Sequence, residues 1–274
     1  MGEARKKRER FLARHPVCCF CGGSATATTI DHIPSQDCFK NRAFPEGFEF
    51  PACERCQQAT RSDEQIFSFV VQMMDRGQEN YDPVRARRAL TGIRNNFPHL
   101  LPKTVDDPLE KVRALHHMGQ AIPMLSPTRG IPIISIPAEV APHIDRVAKK
   151  LLLAVYYKET GRIAAAGHRV WATWSFASDL NSMKAMVEVA GMTRFQTVGW
   201  RRNLDFGKQF GYRWDASEAH DPHDLFMLVA QFGEGLVVAA NLIDDVSFAE
   251  LDPEDDPDDW VSVESIINPA EAEQ

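Results

Sequence analysis

Hydrophobic and polar positions follow two rhythms along this chain, and the change between them predicts its elements. Thr26 to Ile30 and Phe48-Glu49-Phe50 alternate with period two, which predicts a strand that ends on Asp31 and His32 and a second that returns to Cys53. Residues 33–47 hold Pro34, Pro45 and Gly47 and read as the loop between them. From Ser62 the period lengthens to 3.6. Ile66, Phe69, Val70, Met73 and Met74 then share one helical face, with Ser62-x-x-Gln65 as a capping box and Gly77 as the stop. Asp82-Pro83 and Asp107-Pro108 each pair an N-cap with proline at the first helical position. Ahead of the strands, residues 3–14 predict a short charged helix stopped by Pro16.

Residues 121–137 interrupt the helical rhythm with four prolines and the apolar run Ile131 to Ile136, and read as a linker. Beyond it, Ile144, Val147, Ala148, Leu151, Leu152 and Val155 form a helical stripe that ends at Gly161. Val170 to Phe176, Phe195 to Trp200, Leu225 to Ala230 and Leu236 to Ile243 predict strands, with residues 232–235 as a hairpin turn and a helix through Leu180, Met183, Val187 and Ala190. The expected class is α+β. Residues 1–120 would form an arm, a small zinc-stapled unit and a helical middle, 138–251 an α+β domain with an antiparallel sheet, and 252–274 an acidic tail.

Charge changes this picture. The net charge of −7 conceals a segregation: from Asp244 onward there are twelve acidic residues and no Lys or Arg, so the rest of the chain stands at +5. Arg5, Lys6, Lys7, Arg8, Arg10 and Arg14 crowd the first fifteen residues against Glu3 and Glu9 alone. Such a basic arm suits phosphate, which makes nucleic acid the expected partner. With 44% hydrophobic residues, six cysteines and no long apolar run, the chain reads as a globular protein of a reducing, cytoplasmic setting without a membrane span.

Four of those cysteines form two knuckles, Cys18-x-x-Cys21 and Cys53-x-x-Cys56, about thirty residues apart. Two such pairs supply the four thiolates of a tetrahedral structural zinc site and leave no coordination position open. Chemistry is therefore expected from Asp31 and His32, which lie between them. A strand ending in that pair sends the side chains to opposite faces, the aspartate toward a packed helix and the histidine toward a substrate. A hard cation on the carboxylate and a histidine base together suit metal-assisted phosphodiester hydrolysis.

Over about a sixth of the chain, Cys18 to Glu64, this order of Cys-x-x-Cys, Asp-His-x-x-Pro or close to it, and Cys-x-x-Cys resembles the zinc-ribbon-containing HNH endonucleases of ββα-metal fold. The resemblance implies His32 as general base, Asp31 as ligand of a catalytic Mg²⁺ or Mn²⁺, and Cys18, Cys21, Cys53 and Cys56 as ligands of structural Zn²⁺. Where the family places His or Asn after the second knuckle this chain has Gln57, the expected second ligand of the catalytic ion; Asn41 is the nearest counterpart of the middle Asn, and Ser62-Asp63-Glu64 resembles a run that follows the knuckle in one branch. The alternative is a module of this frame that has lost its metal site and serves as a nucleic-acid or protein adaptor. The cluster His220 to Asp224, the pair His116-His117, the arginines Arg85, Arg87, Arg88 and Arg94, and the aromatic residues Trp171, Trp174, Trp200, Tyr212 and Trp214 are secondary candidates, read first as turn, surface and core.

Overall fold

The computed structural model describes residues 2–42, 44–74, 81–119, 133–179, 194–197 (backbone alone), 208–217, 224–249 and 260–267. The first helix, α1 (Glu3–Arg14), is charged around its circumference and buries no residue. It nevertheless packs against the first strand: Arg8 donates to the Thr28 carbonyl at 2.6 Å, and His15 Nδ1 lies 2.7 Å from the Tyr157 hydroxyl. The arm is a seated helix. Strands β1 (Thr29–His32) and β2 (Glu49–Ala52) form an antiparallel hairpin in which Asp31 faces Phe50 and His32 faces Glu49. The alternating segment from Thr26 thus enters pairing three residues later than its pattern predicts, after a single bridge between Val17 and Thr26.

Helix α2 (Glu54–Ala59) starts on Cys53 and is followed directly by α3 (Arg61–Met74). Ser62 does not cap α3. The Thr60 carbonyl accepts the Glu64 N–H at 2.9 Å, so the helix opens two residues earlier than the capping box implies. Asp82 and Asp107 do cap α4 (Pro83–Asn96) and α5 (Pro108–His117), each accepting two backbone N–H groups. Gly77 lies outside the described residues. Short strands β3 (Lys103–Thr104) and β4 (Ile134–Ser135) pair, bringing the end of the proline-rich 121–137 segment back beside residues that precede it.

The longest helix, α6 (Ala141–Thr160), ends on Gly161 at φ +71°, a left-handed C-cap that costs glycine little. It lies between α3 and an antiparallel sheet in the order β10-β5-β9-β8-β7-β6, with β5 (Arg169–Phe176), β6 (Arg194–Thr197), β7 (Phe210–Ala216), β8 (Phe226–Phe232), β9 (Leu236–Ile243) and β10 (Val261–Ser262). The mixed helix-and-strand class and the antiparallel sheet match the sequence reading, while β7 does not appear in it. The expected helix from Leu180 to Ala190 lies outside the described residues. Two short helices, α7 (Asp245–Ala249) and α8 (Val263–Ile267), complete the order. Among the described residues no helix is long and apolar enough to cross a membrane.

Aromatic side chains join the hairpin to the sheet. Phe48 meets Phe210 and Tyr212 edge-on at 5.3 and 5.7 Å between ring centroids, and Phe67 of α3 meets Phe232 at 4.9 Å. Each buried phenylalanine contributes about 1.5–3 kcal/mol by leaving water, and the edge-to-face geometry adds to that. One apolar cluster runs from Cys18 through α6 to Ile267, so the core is shared by both sides of the 121–137 segment. Val263, Ile266 and Ile267 bury themselves in it where α8 touches α2 and α6.

Candidate metal centre

The two knuckles converge. The sulfurs of Cys18, Cys21, Cys53 and Cys56 lie within 4.8 Å of one another and all four residues are buried, an arrangement that can hold a metal ion such as zinc. The turn after Cys21 uses Gly22 and Gly23, both at positive φ; a Cβ on Gly22 would come within 2.6–2.8 Å of Ala166, so the knuckle rests directly on the chain leading into β5. Cys53 Sγ also accepts the Cys56 N–H, placing a partial positive charge on a would-be thiolate. The thiols hold protons unequally. A hydrogen bond from Cys56 outweighs burial and takes Cys18 down to about 5, whereas that same bond, burial and the neighbouring charge push Cys56 up. A divalent cation is the group that lets all four ionise together.

Asp31 points inward from β1 and His32 outward, as period two requires. Asp31 is 4% exposed, and its Oδ2 accepts from Lys150 Nζ at 2.6 Å while Oδ1 accepts the His32 N–H at 2.9 Å. Lys150 is completely buried. Its ammonium has three protons and three acceptors, the other two being Thr60 Oγ1 at 2.6 Å and Glu64 Oε1 at 2.8 Å, and it sits 5.0 Å from the centre of the Phe20 ring. Burial pulls the Lys150 ammonium down, but Asp31 and Glu64 together outweigh it and hold it raised, hence charged at neutral pH. Burial likewise raises Glu64, with Lys150 opposing.

Lys150 belongs to a series. His143 Nδ1 lies 2.6 Å from Asp63 Oδ1, and Arg146 Nη1 reaches both Asp63 oxygens at 3.1–3.2 Å. At spacings of three and four, residues 143, 146 and 150 share one face of α6 and meet Asp63, Glu64 and Asp31 in turn. The sequence reading missed Thr60, His143, Arg146 and Lys150. One signal was available: Lys150 borders the apolar stripe Val147, Leu151 and Ala154 of α6, where a buried charge is tolerated only with a partner.

His32 is 30% exposed; its ring packs edge-on against Phe44 at 4.5 Å, and Nε2 is 3.7 Å from Glu49 Oε1, which in turn lies 3.5 Å from Lys7 Nζ. Gln57 donates Nε2 to the Ile30 carbonyl at 3.4 Å, tying α2 to β1. Asn41 sits in the loop between β1 and β2 at φ +58°. Among the secondary candidates, His116 and His117 are exposed at the end of α5; Arg85 is 9% exposed and pairs with Asp37; Trp214 stacks on Phe226; Tyr212 is buried. Trp200 and residues 220–223 lie outside the described residues, and Asp224 accepts from Tyr156, Arg162 and His168.

The chain matches no family model, no curated protein and no solved structure.

Proposed function

We propose that this protein is a zinc-stapled module of HNH-like frame whose catalytic cation position is filled by Lys150, and that it binds DNA without cutting it. The carrying observation is the Lys150–Asp31 contact. A divalent ion and an ammonium cannot share Asp31 Oδ2, and the internal cation brings no open coordination position for a phosphate oxygen or a water. Cys18, Cys21, Cys53 and Cys56 fit zinc as a staple for the hairpin, and Gln57 serves as a hydrogen-bonded tie rather than a ligand. DNA contact falls to α1, whose Lys7 reaches Glu49 beside the outward face of His32.

A second reading has one observation in its favour. His32 is partly exposed and has Glu49 nearby to orient its ring, the layout of a general base. In that reading Mg²⁺ or Mn²⁺ displaces Lys150 from Asp31. Plasmid nicking with Mg²⁺ or Mn²⁺, run beside a duplex-binding titration, separates the two. Binding without nicking supports the adaptor reading; nicking by the parent protein that His32→Ala abolishes overturns it.

A further inference from the structure

A cavity of about 770 Å³ lies between the 35–42 loop, α3 and α4. It is within the range of small-molecule sites, and twelve of its fourteen lining residues are polar or charged, Val84 and Ala89 being the exceptions, although carbon atoms make up about half of the surface. Four arginines, Arg42, Arg61, Arg85 and Arg88, face three carboxylates. The carboxylates are committed: Glu64 to Lys150 and Thr60, Asp37 to Arg85 at 2.8 Å, and Asp82 to the cap of α4. Arg61 and Arg88 have no carboxylate partner among the described residues. Four arginines against three carboxylates leave the lining one net positive charge, with Arg61 and Arg88 the cations that lack a carboxylate partner among the described residues.

Two buried polar atoms in that lining are unsatisfied. Gln72 is 3% exposed and donates Nε2 to the carbonyls of Asp37 and Cys38, which fixes its amide and leaves Oε1 without a donor. Arg85 uses Nη2 on Asp37 and the Gln36 carbonyl, and its Nη1 has no acceptor. Each such atom costs about 1–3 kcal/mol. The adjoining turn holds two non-glycine residues, Asn41 at φ +58° and Arg42 at φ +53°, in the left-handed region, a strained backbone of the kind that gathers at ligand clamps. One class of ligand meets these features together, offering anionic oxygens to planar guanidinium forks and hydroxyl hydrogens to Gln72. Since no aromatic ring among the described residues lines the cavity to stack on a base, hydroxyls of a sugar or polyol suit it better.

We propose that this cavity binds a phosphate monoester of a polyhydroxylated carbon chain or sugar, through Arg61 and Arg88 at the mouth and Gln72 and Arg85 at the floor. Such a group reaches the protein as a free sugar phosphate; the 5′-phosphorylated end of a DNA strand shares the phosphate, but its terminal deoxyribose has both oxygens esterified and offers Gln72 no hydroxyl. The site is independent of the DNA-binding reading, because no residue of α1 lines it. Isothermal titration of the full chain with ribose 5-phosphate, with inorganic phosphate and with a 5′-phosphorylated trinucleotide tests it, using Arg61→Gln/Arg88→Gln as the variant and deletion of residues 1–14 as the control. Both arginines are exposed, so the variant folds as the parent does. Saturable binding below about 1 mM, weakened at least about tenfold in the double variant and unchanged by the deletion, is the expected result. Ribose 5-phosphate should show it; if only the trinucleotide does, the cavity takes a strand-terminal phosphate without sugar hydroxyls and the proposal falls. Binding no tighter than that of inorganic phosphate, equal binding by the variant, or loss of binding on deleting residues 1–14 overturns the proposal.

Discussion

Lys150 Nζ lies 2.6 Å from Asp31 Oδ2 across 119 positions of sequence, so the residue that most resembles a metal ligand holds a cation supplied by the protein itself. Breaking a buried pair by removing one partner costs about 3–5 kcal/mol, because the remaining charge is left in a medium that solvates it poorly. Lys150→Met should therefore lose about that much stability in urea unfolding, while Lys150→Met combined with Asp31→Asn should recover a large part of it. Equal destabilisation by the single and double variants would mean that the two groups are not coupled. In Lys150→Ala the vacated carboxylates of Asp31 and Glu64 should bind Mn²⁺, read as a rise in Tm on adding the ion that the parent chain does not show.

Cys53 is one of the four clustered thiols and also starts α2, so if the cluster holds zinc, Cys53→Ser should remove the metal and loosen the hairpin together. Structural zinc in small modules carries about 10–16 kcal/mol of apparent binding energy. Elemental analysis should fall from one zinc per chain to none, and amide protection across residues 18–56 should collapse. A variant that retains zinc and protection would remove the cysteine cluster from the account.

Asp244 supplies a pH dependence of known sign. Burial works against its charge, but N–H and hydroxyl donors of Ser247 and the N–H groups of Asp224 and Val246 outweigh it and hold the carboxyl at about 2. A folded-state value below the unfolded one means that the contribution is complete above the ordinary carboxylate range and disappears as pH falls through about 2. At pH 7 it amounts to about 1–2 kcal/mol after allowance for solvent screening. Asp244→Asn should lower stability by that amount at neutral pH, and the gap to the parent should close as unfolding is followed down toward pH 2.

Much of this fold was legible because local rules decided it. Asp82 and Asp107 cap the helices they precede, Gly161 ends α6, and the apolar run of residues 236–243 is a strand. The cysteine knuckles were legible for the same reason, since ligand spacing is a local property. Strand β7 was not, although Phe210, Tyr212 and Trp214 alternate along it, because Gly211 and Arg213 dilute its strand propensity and its aromatic residues drew attention as possible stacking groups. The Asp31 site was half legible. That Asp31 turns inward follows from period two, but what it meets is set by the packing of α6 over the hairpin, a contact between segments more than a hundred residues apart that no local pattern encodes.

The basic helix should supply affinity and most of its salt dependence. Its cationic residues lie on one seated element rather than on a loose arm, with Lys7 and Arg8 already drawn toward the hairpin. Each phosphate that the protein neutralises contributes about −0.9 to the slope of log K against log salt. Deleting residues 1–14 should weaken duplex binding and flatten that slope by about 3–5, read by fluorescence anisotropy between low and physiological salt. An unchanged slope would place the phosphate contacts on another surface.

The acidic segment that precedes β10 bears on the same binding. Asp252, Glu254, Asp255, Asp256, Asp258 and Asp259 place six carboxylates next to residues 260–267, which are anchored: β10 pairs with β5, and Val263, Ile266 and Ile267 sit in the core where α8 touches α2. Truncation at 252 would therefore strip core side chains as well as charge, and any gain in DNA binding would be confounded by unfolding. Replacing the six by Asn and Gln keeps the anchor and removes the charge. A polyanion on the same chain as a cationic helix can compete with phosphate, and the competition fades as salt screens it over about 10 Å at 0.1 M. The neutralised chain should then bind duplex DNA more tightly than the parent at low salt and equally at high salt; the same affinity at every salt concentration would leave these carboxylates a solubilising role alone.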